Sequence, residues 1–336
     1  MDIKPSSQHG GDIKSFSEQI GCKPSEVIDL SSNINFVQPN ITVDFNSLDI
    51  SAYPTYEKLT EPIAQLYSVD PCELELFNGA TTAIYTLFRH LNLNHCTLYA
   101  PLYLEYEKAS HIHNYQITHI NRFENIEQEV EKGSLIVFVN PSTPEGTFYE
   151  VERLMKQWTK KECTILIDES FLDFTPFKSA VPHIHNYDKL YILKSMTKFY
   201  SSAGIRVGAL ISNQKNIQRI QAQEPLWKIS QFDSHYLQSA LNDKHFPMSS
   251  KELNDKNREY LIKILKNSEF IQKVYPSSAN FIMIKLKNLS AQEFQEKLIP
   301  YKIMIRDCSN FKFLDQRYVR ISVKGKEALE VLEKAL

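Results

Sequence analysis

The stretch KLYILKSMTKFYSSAGIRVGALIS, residues 189 to 212, runs from one apolar segment through a turn of small and hydroxyl-bearing residues into another. Its ends, KLYILKS (189 to 195) and VGALIS (207 to 212), are uninterrupted runs of the length that suits strands covered on both faces. A pair of buried strands should not hold bare charges between them, so Lys198 and Arg206 need a reason to be there. Similar runs recur upstream at LELF (74 to 77), CTLYA (96 to 100), SLIVFVN (134 to 140) and CTILID (163 to 168). Between several of them lie helical patterns at 80 to 91, 101 to 112 and 149 to 161. This alternation predicts an α/β fold built on a mainly parallel sheet, with a site at the C-terminal ends of its strands.

Beyond about residue 240 the pattern changes. A long charged helix at 249 to 268 leads to strands at 279 to 286, 301 to 306 and 318 to 323, with helices at about 290 to 298 and 325 to 335, which together predict a smaller α+β domain. The expected division is an N-terminal arm at 1 to 50 that contributes to the small domain and active site, a large domain at 51 to 240, and a small domain at 241 to 336.

Composition narrows the function. Lys and Arg number 38 against 40 Asp and Glu, and no basic block tracks a phosphate backbone, so nucleic acid is not expected as a partner. Five scattered cysteines without a CxxC pair suit free thiols in the cytoplasm rather than a disulfide frame or zinc site. The start, MDIKPSSQHGGDIKS, lacks the apolar core of a signal peptide, and no apolar run reaches the roughly 20 residues of a membrane helix. The pairs His111/His113 and His183/His185 lack accompanying carboxylates or cysteines, so no metal site is expected.

Three features fall at predicted sheet edges. In FNGATTA, Gly79 permits a tight turn, and the N–H groups of Ala80 and Thr81 then open a helix, an arrangement that suits a phosphate. In ILIDESFLDF, Asp168 ends a strand where an unpaired carboxylate would be costly. In KLYILKSMTK, Ser195 and Lys198 follow a strand, and Arg206 is a second cation for the same anion. A nucleophilic lysine, an acid for a ring nitrogen and a phosphate cradle together describe the needs of pyridoxal 5'-phosphate.

The segment SMTKFYSSAGIRVG resembles the S-x-T-K-x-x-x-x-x-G-x-R-x-G pattern of fold type I pyridoxal-phosphate enzymes, in the branch of histidinol-phosphate aminotransferases and threonine-phosphate decarboxylases. The resemblance runs from HGGD (9 to 12) to YVRISV (318 to 323). It implies a fold type I transferase fold, Lys198 as the Schiff-base lysine and Asp168 as the partner of the ring nitrogen. Ser195, Arg206 and Gly79-Ala80-Thr81 become the phosphate cradle, and Tyr103 stacks on the ring. Tyr53 matches a tyrosine that reaches the neighbouring subunit's cofactor, which implies a homodimer with shared sites. Arg320 matches the arginine that holds the substrate carboxylate.

The chain also departs from that pattern. VNPSTPEG (139 to 146) stands where N-P-N-N-P-T-G is usual, so Thr143 replaces an asparagine that bonds the cofactor O3', and Phe171 stands where a tyrosine is common. At 312 to 314, KFL replaces a glycine-leucine pair. HGGD, DLSSNIN (29 to 35), RDCSNF (306 to 311) and Phe171 resemble the decarboxylase branch more than the aminotransferases. His9, Gly10, Asn33, Arg306 and Arg320 are accordingly the expected contacts of a substrate with two anionic groups, threonine phosphate or serine phosphate. Histidinol-phosphate transamination is the alternative.

Overall fold

The apolar runs become strands, and their pairing partners divide them between two main sheets. A computed structural model describes residues 10–336 of the chain. Its strands are β1 (Ile28–Asp29), β2 (Leu74–Phe77), β3 (His95–Ala100), β4 (Gln116–Asn121), β5 (Leu135–Val139), β6 (Thr164–Asp168) and β7 (Leu190–Ser195). They continue with β8 (Gly208–Ile211), β9 (Ile271–Val274), β10 (Phe281–Leu286), β11 (Ile303–Met304), β12 (Arg306–Asp307) and β13 (Tyr318–Ser322). Seven form one sheet in the order β2-β8-β7-β6-β5-β3-β4. Its pairs are parallel except those of β8, which runs antiparallel to both β2 and β7. The fold is therefore the expected α/β type with a mainly parallel sheet.

Alternation along the central strands sends side chains to opposite faces. Ile136, Phe138, Ile165, Ile167 and Ile192 join a core on one face, while Leu135, Val137, Leu166, Tyr191 and Leu193 join a core on the other. This double burial explains why the strands read as continuous apolar runs. It also assigns Asp168 and Ser195, in step with Leu166 and Leu193, to the second face, and Glu169 and Lys194 to the first.

The second sheet, β12-β13-β10-β9, is antiparallel and has its own core, which includes Leu261, Ile282, Phe294, Ile321 and Leu332. Leu30 joins this core from the N-terminal segment, and β1 pairs in parallel with β11. The run YKIMIR, read as one strand, is two: β11 turns to β1, and β12 pairs with β13. Among the described residues, no helix is long and apolar enough to cross a membrane.

Helix boundaries shift modestly from expectation. The helix read from 101 begins at Glu105, because Pro101–Leu104 form the connecting turn after β3. The long helix spans Phe246–Asn267, with a proline at its first turn, where a missing N–H costs nothing.

Candidate active site

The C-terminal ends of β5, β6 and β7, the start of helix Ala80–Leu91 and the edge of the second sheet enclose one pocket. Asn33, Ala80, Thr81, Tyr103, Thr143, Asp168, Ser195, Lys198, Arg206, Arg306 and Arg320 all line it. Phe171 and Phe311 complete two of its apolar walls.

Lys198 lies in the short helix Met196–Phe199 that ends β7. Loss of solvent first, then the nearby Arg320 and Arg206 charges, lowers its ammonium pKa to about 8, with Asp168 pulling the other way. The sign is that of a lysine made neutral more easily, so reactivity appears as pH rises through about 8. Labelling of Lys198 by an amine-selective reagent in cofactor-free protein should increase about tenfold per pH unit below that point and level off above it, whereas an ordinary lysine levels off only above about 10.4. Peptide mass spectrometry across pH 6 to 11 checks this.

Asp168 is buried at the end of β6. Its Oδ2 accepts from the Tyr106 hydroxyl at 2.7 Å, and its Oδ1 accepts from the Ser170 backbone N–H at 2.9 Å. Burial raises its pKa, opposed by these donors and by Lys198. A cationic ring nitrogen placed beside it would favour the carboxylate further. Sequence reading missed both Tyr106 and Ser170. Tyr106 lies three residues after Tyr103, their rings meeting edge-on at 6.3 Å, and that spacing in APLYLEY was the available signal.

The turn at Gly79 rests on close backbone approach. Gly79 has φ 80°, and a Cβ there would lie 2.6 Å from Arg206 Nη2. Gly208 performs a parallel service: a Cβ on it would sit 2.4 Å from the Ala80 nitrogen. The two glycines thus bring the guanidinium of Arg206 against the first turn of helix Ala80–Leu91, whose leading N–H groups have no carbonyl four residues back. Arg206 Nη1 donates to the Ala203 carbonyl at 3.1 Å, and Tyr103 and Thr81 hydroxyls lie 3.4 Å apart.

On the opposite wall, Arg306 and Arg320 are directly paired across β12 and β13. Arg320 Nη1 donates to Thr143 Oγ1 at 3.3 Å and its Nη2 to the Ser31 carbonyl at 3.0 Å, while Nε has no protein partner among the described residues. Burial lowers its pKa to about 10, so it remains a cation at neutral pH. Arg306 Nη2 donates to Asn310 Oδ1 at 2.9 Å, and its guanidinium lies 5.2 Å from the Phe311 ring centre.

The N-terminal segment is tied to this site. The Asn35 N–H donates to the Lys198 carbonyl at 3.1 Å, and its side-chain amide donates to Phe199 and Ser250. Asn35, absent from the sequence-based set, thereby fixes the segment that places Asn33. Gly10 lies against the Ser31 carbonyl rather than in the pocket lining, and His9 falls outside the described residues. Tyr53 is also not in the lining: it is 72% exposed, with its ring stacked on Trp227 at 4.0 Å.

The departures have structural forms. Phe171 packs edge-on against Phe281 at 4.9 Å. Phe313, where the resembling pattern has glycine-leucine, holds φ 69°, a conformation that costs an L-residue roughly 1–2 kcal/mol, and its ring meets His119 at 6.4 Å.

Does the pocket fit pyridoxal phosphate? A desolvated amine, a buried carboxylate with two donors, and a helix start opened toward a guanidinium by two glycines form the donor set that this group requires. The fold defines a fold type I pyridoxal-phosphate enzyme, and that group is its cofactor. The chain belongs to the aminotransferase class I and II family, whose model matches residues 26–336. It is 28% identical over 348 residues to a protein of Caldanaerobacter subterraneus subsp. tengcongensis named provisionally as a threonine-phosphate decarboxylase, covering 98% of this chain and 93% of that one. It is 26% identical over 336 residues to histidinol-phosphate aminotransferase of Methanocaldococcus jannaschii, covering 94% and 90%. The crystal structure of histidinol-phosphate aminotransferase from Clostridium acetobutylicum superposes with a TM-score of 0.81 at 29% identity, covering 91% and 97%.

Proposed function

We propose that this chain removes the carboxylate of an O-phosphorylated hydroxy amino acid, L-threonine O-3-phosphate or L-serine O-phosphate, to give an amino-alcohol phosphate for the cobalamin nucleotide loop. One observation carries the reading: Arg306 and Arg320, paired across β12 and β13, both line the pocket that holds Lys198. Two guanidinium groups beside one amine suit a substrate that carries a carboxylate and a phosphate on the same short skeleton.

Bound in this pocket, pyridoxal phosphate supplies an electron sink for the bond broken at the substrate α-carbon. Gly79, Ala80, Thr81, Ser195 and Arg206 would hold its phosphate, Tyr103 its ring face and Asp168 its ring nitrogen. Arg320 binds the substrate carboxylate and fixes which α-carbon bond is aligned to break, and Arg306 takes the substrate phosphate. Lys198, with a pKa near 8, delivers the proton to the α-carbon in place of the lost carbon dioxide. Phe171, Phe311 and Leu193 keep the pocket walls apolar, which strengthens each charged contact inside.

Histidinol-phosphate transamination is the second reading, favoured by the likeness to the Clostridium acetobutylicum enzyme. Purified holoenzyme given threonine phosphate or serine phosphate should release carbon dioxide. Consumption of histidinol phosphate with 2-oxoglutarate, and no carbon dioxide from either phosphoamino acid, would reverse the order of the two readings. The exposed Tyr53 and Trp227 rings, stacked on each other, offer apolar surface that suits the proposed homodimer. The same preparation should accordingly sediment as a dimer, and a monomer would remove Tyr53 from the cofactor site.

A further inference from the structure

Thr143 raises a specific question, because the hydroxyl that stands where the related pattern has an asparagine is paired with an arginine. Arg320 is fixed on three sides. Thr143 Oγ1 accepts from Nη1 at 3.3 Å, the Ser31 carbonyl accepts from Nη2 at 3.0 Å, and the Phe281 ring centre lies 5.1 Å from the guanidinium carbon.

Both oxygen partners are themselves held. Asp29 Oδ1 accepts from the Ser31 N–H at 2.8 Å and from its hydroxyl at 2.6 Å, and the Gly11 N–H donates to Ser31 Oγ at 2.8 Å. Thr143 sits in a loop closed by the Ser142 N–H donating to the Thr147 carbonyl and the Gly146 N–H donating to the Ser142 carbonyl, each at 2.9 Å. Its β-branched side chain, 5% exposed, has few rotamers through which to escape.

We infer that Thr143 is a positioning residue for Arg320: with the Ser31 carbonyl it clamps the two terminal nitrogens and so sets how the guanidinium sits in the pocket wall, where a ligand carboxylate would meet it. Threonine suits this position because its oxygen can accept from Arg320 while its hydrogen remains available to donate. A side chain of the same shape without the oxygen leaves a buried guanidinium N–H unpaired and free to swing. This inference rests on the assignment of Arg320 to the substrate carboxylate.

The test uses holoenzyme, with O-phospho-L-serine and O-phospho-L-threonine as probes and their dissociation constants read from rapid-mixing absorbance of the bound cofactor. Thr143→Val, nearly equal in shape, should weaken both by at least about tenfold, and Thr143→Ser should remain within about threefold of the parent protein. The absorbance of the unliganded variant should titrate with pH as in the parent, because the lost contact is to Arg320. Thr143→Ala replaces the valine variant if that one does not give folded holoenzyme. Unchanged probe binding in the variant lacking the hydroxyl overturns the inference, as does a serine variant as weak as valine. If the parent protein binds neither probe, the proposed function fails, and this inference with it.

Discussion

Holoenzyme carrying Lys198→Ala should lose turnover by on the order of 10⁴-fold or more, with little loss of stability. The two halves of that expectation have separate causes. In the proposed mechanism Lys198 combines the roles of covalent anchor and proton carrier, and neither water nor Arg206 can take both. Its flanking side chains Met196, Thr197 and Phe199 are buried and supply the packing of this turn, so the fold does not depend on the amine. Desolvation and two nearby cations already oppose the ammonium, and alanine removes that cost. Turnover with the substrate identified by product release, together with melting of cofactor-free protein, checks both halves. Turnover within about tenfold of the parent would deny Lys198 its role.

Lys194→Met should do the opposite, destabilising the protein by about 3–5 kcal/mol while leaving the pocket lining intact. Lys194 Nζ donates to Glu169 Oε2 at 2.5 Å, and both side chains are almost wholly buried. Glu169 also accepts from the Ser179 hydroxyl and from the Ala180 N–H. Removing the ammonium strands a carboxylate in the core; restoring neutrality should recover much of the loss, since a buried pair contributes little net stability compared with well-packed neutral side chains. Lys194→Met combined with Glu169→Gln should therefore unfold later in urea than Lys194→Met alone. A double variant no more stable than the single would show that the packing of Lys194, which lies 4.5 Å from the Tyr67 ring centre, outweighs its charge.

Lys194 and Glu169 also show what could be read from sequence. Two acids, Asp168 and Glu169, end one strand, and two lysines, Lys194 and Lys198, stand near the end of the next. Strand parity separates the acids, because Asp168 shares the face of Leu166 and Glu169 that of Ile167. The central strands were legible through their apolar runs, which double burial requires. Strand β4, QITHIN, was not: it lies at the sheet edge, where alternate residues meet solvent. The split of YKIMIR into β11 and β12 was hidden for another reason, since a change of partner between sheets leaves no mark on an apolar run. Of the site, the residues with distinctive chemistry were visible and those that hold them were not. Ser31 and Asn35 act through bonds to residues distant in sequence or through backbone groups, and nothing in their composition advertises such partners, while Tyr106, bonded to Asp168, left only its spacing from Tyr103 as a trace.

The antiparallel strand β8 has a consequence for how the protein is made. It returns beside β7 after residues 196–207, so Lys198, Ser195 and Arg206 are assembled by one short chain reversal. Closing so small a loop is entropically cheap and fast, whereas Asp168, Thr143 and Arg320 can join only after distant segments have docked. During folding, the Lys198 amine and the Arg206 guanidinium should therefore come together before the burial that lowers the pKa of Lys198 is complete.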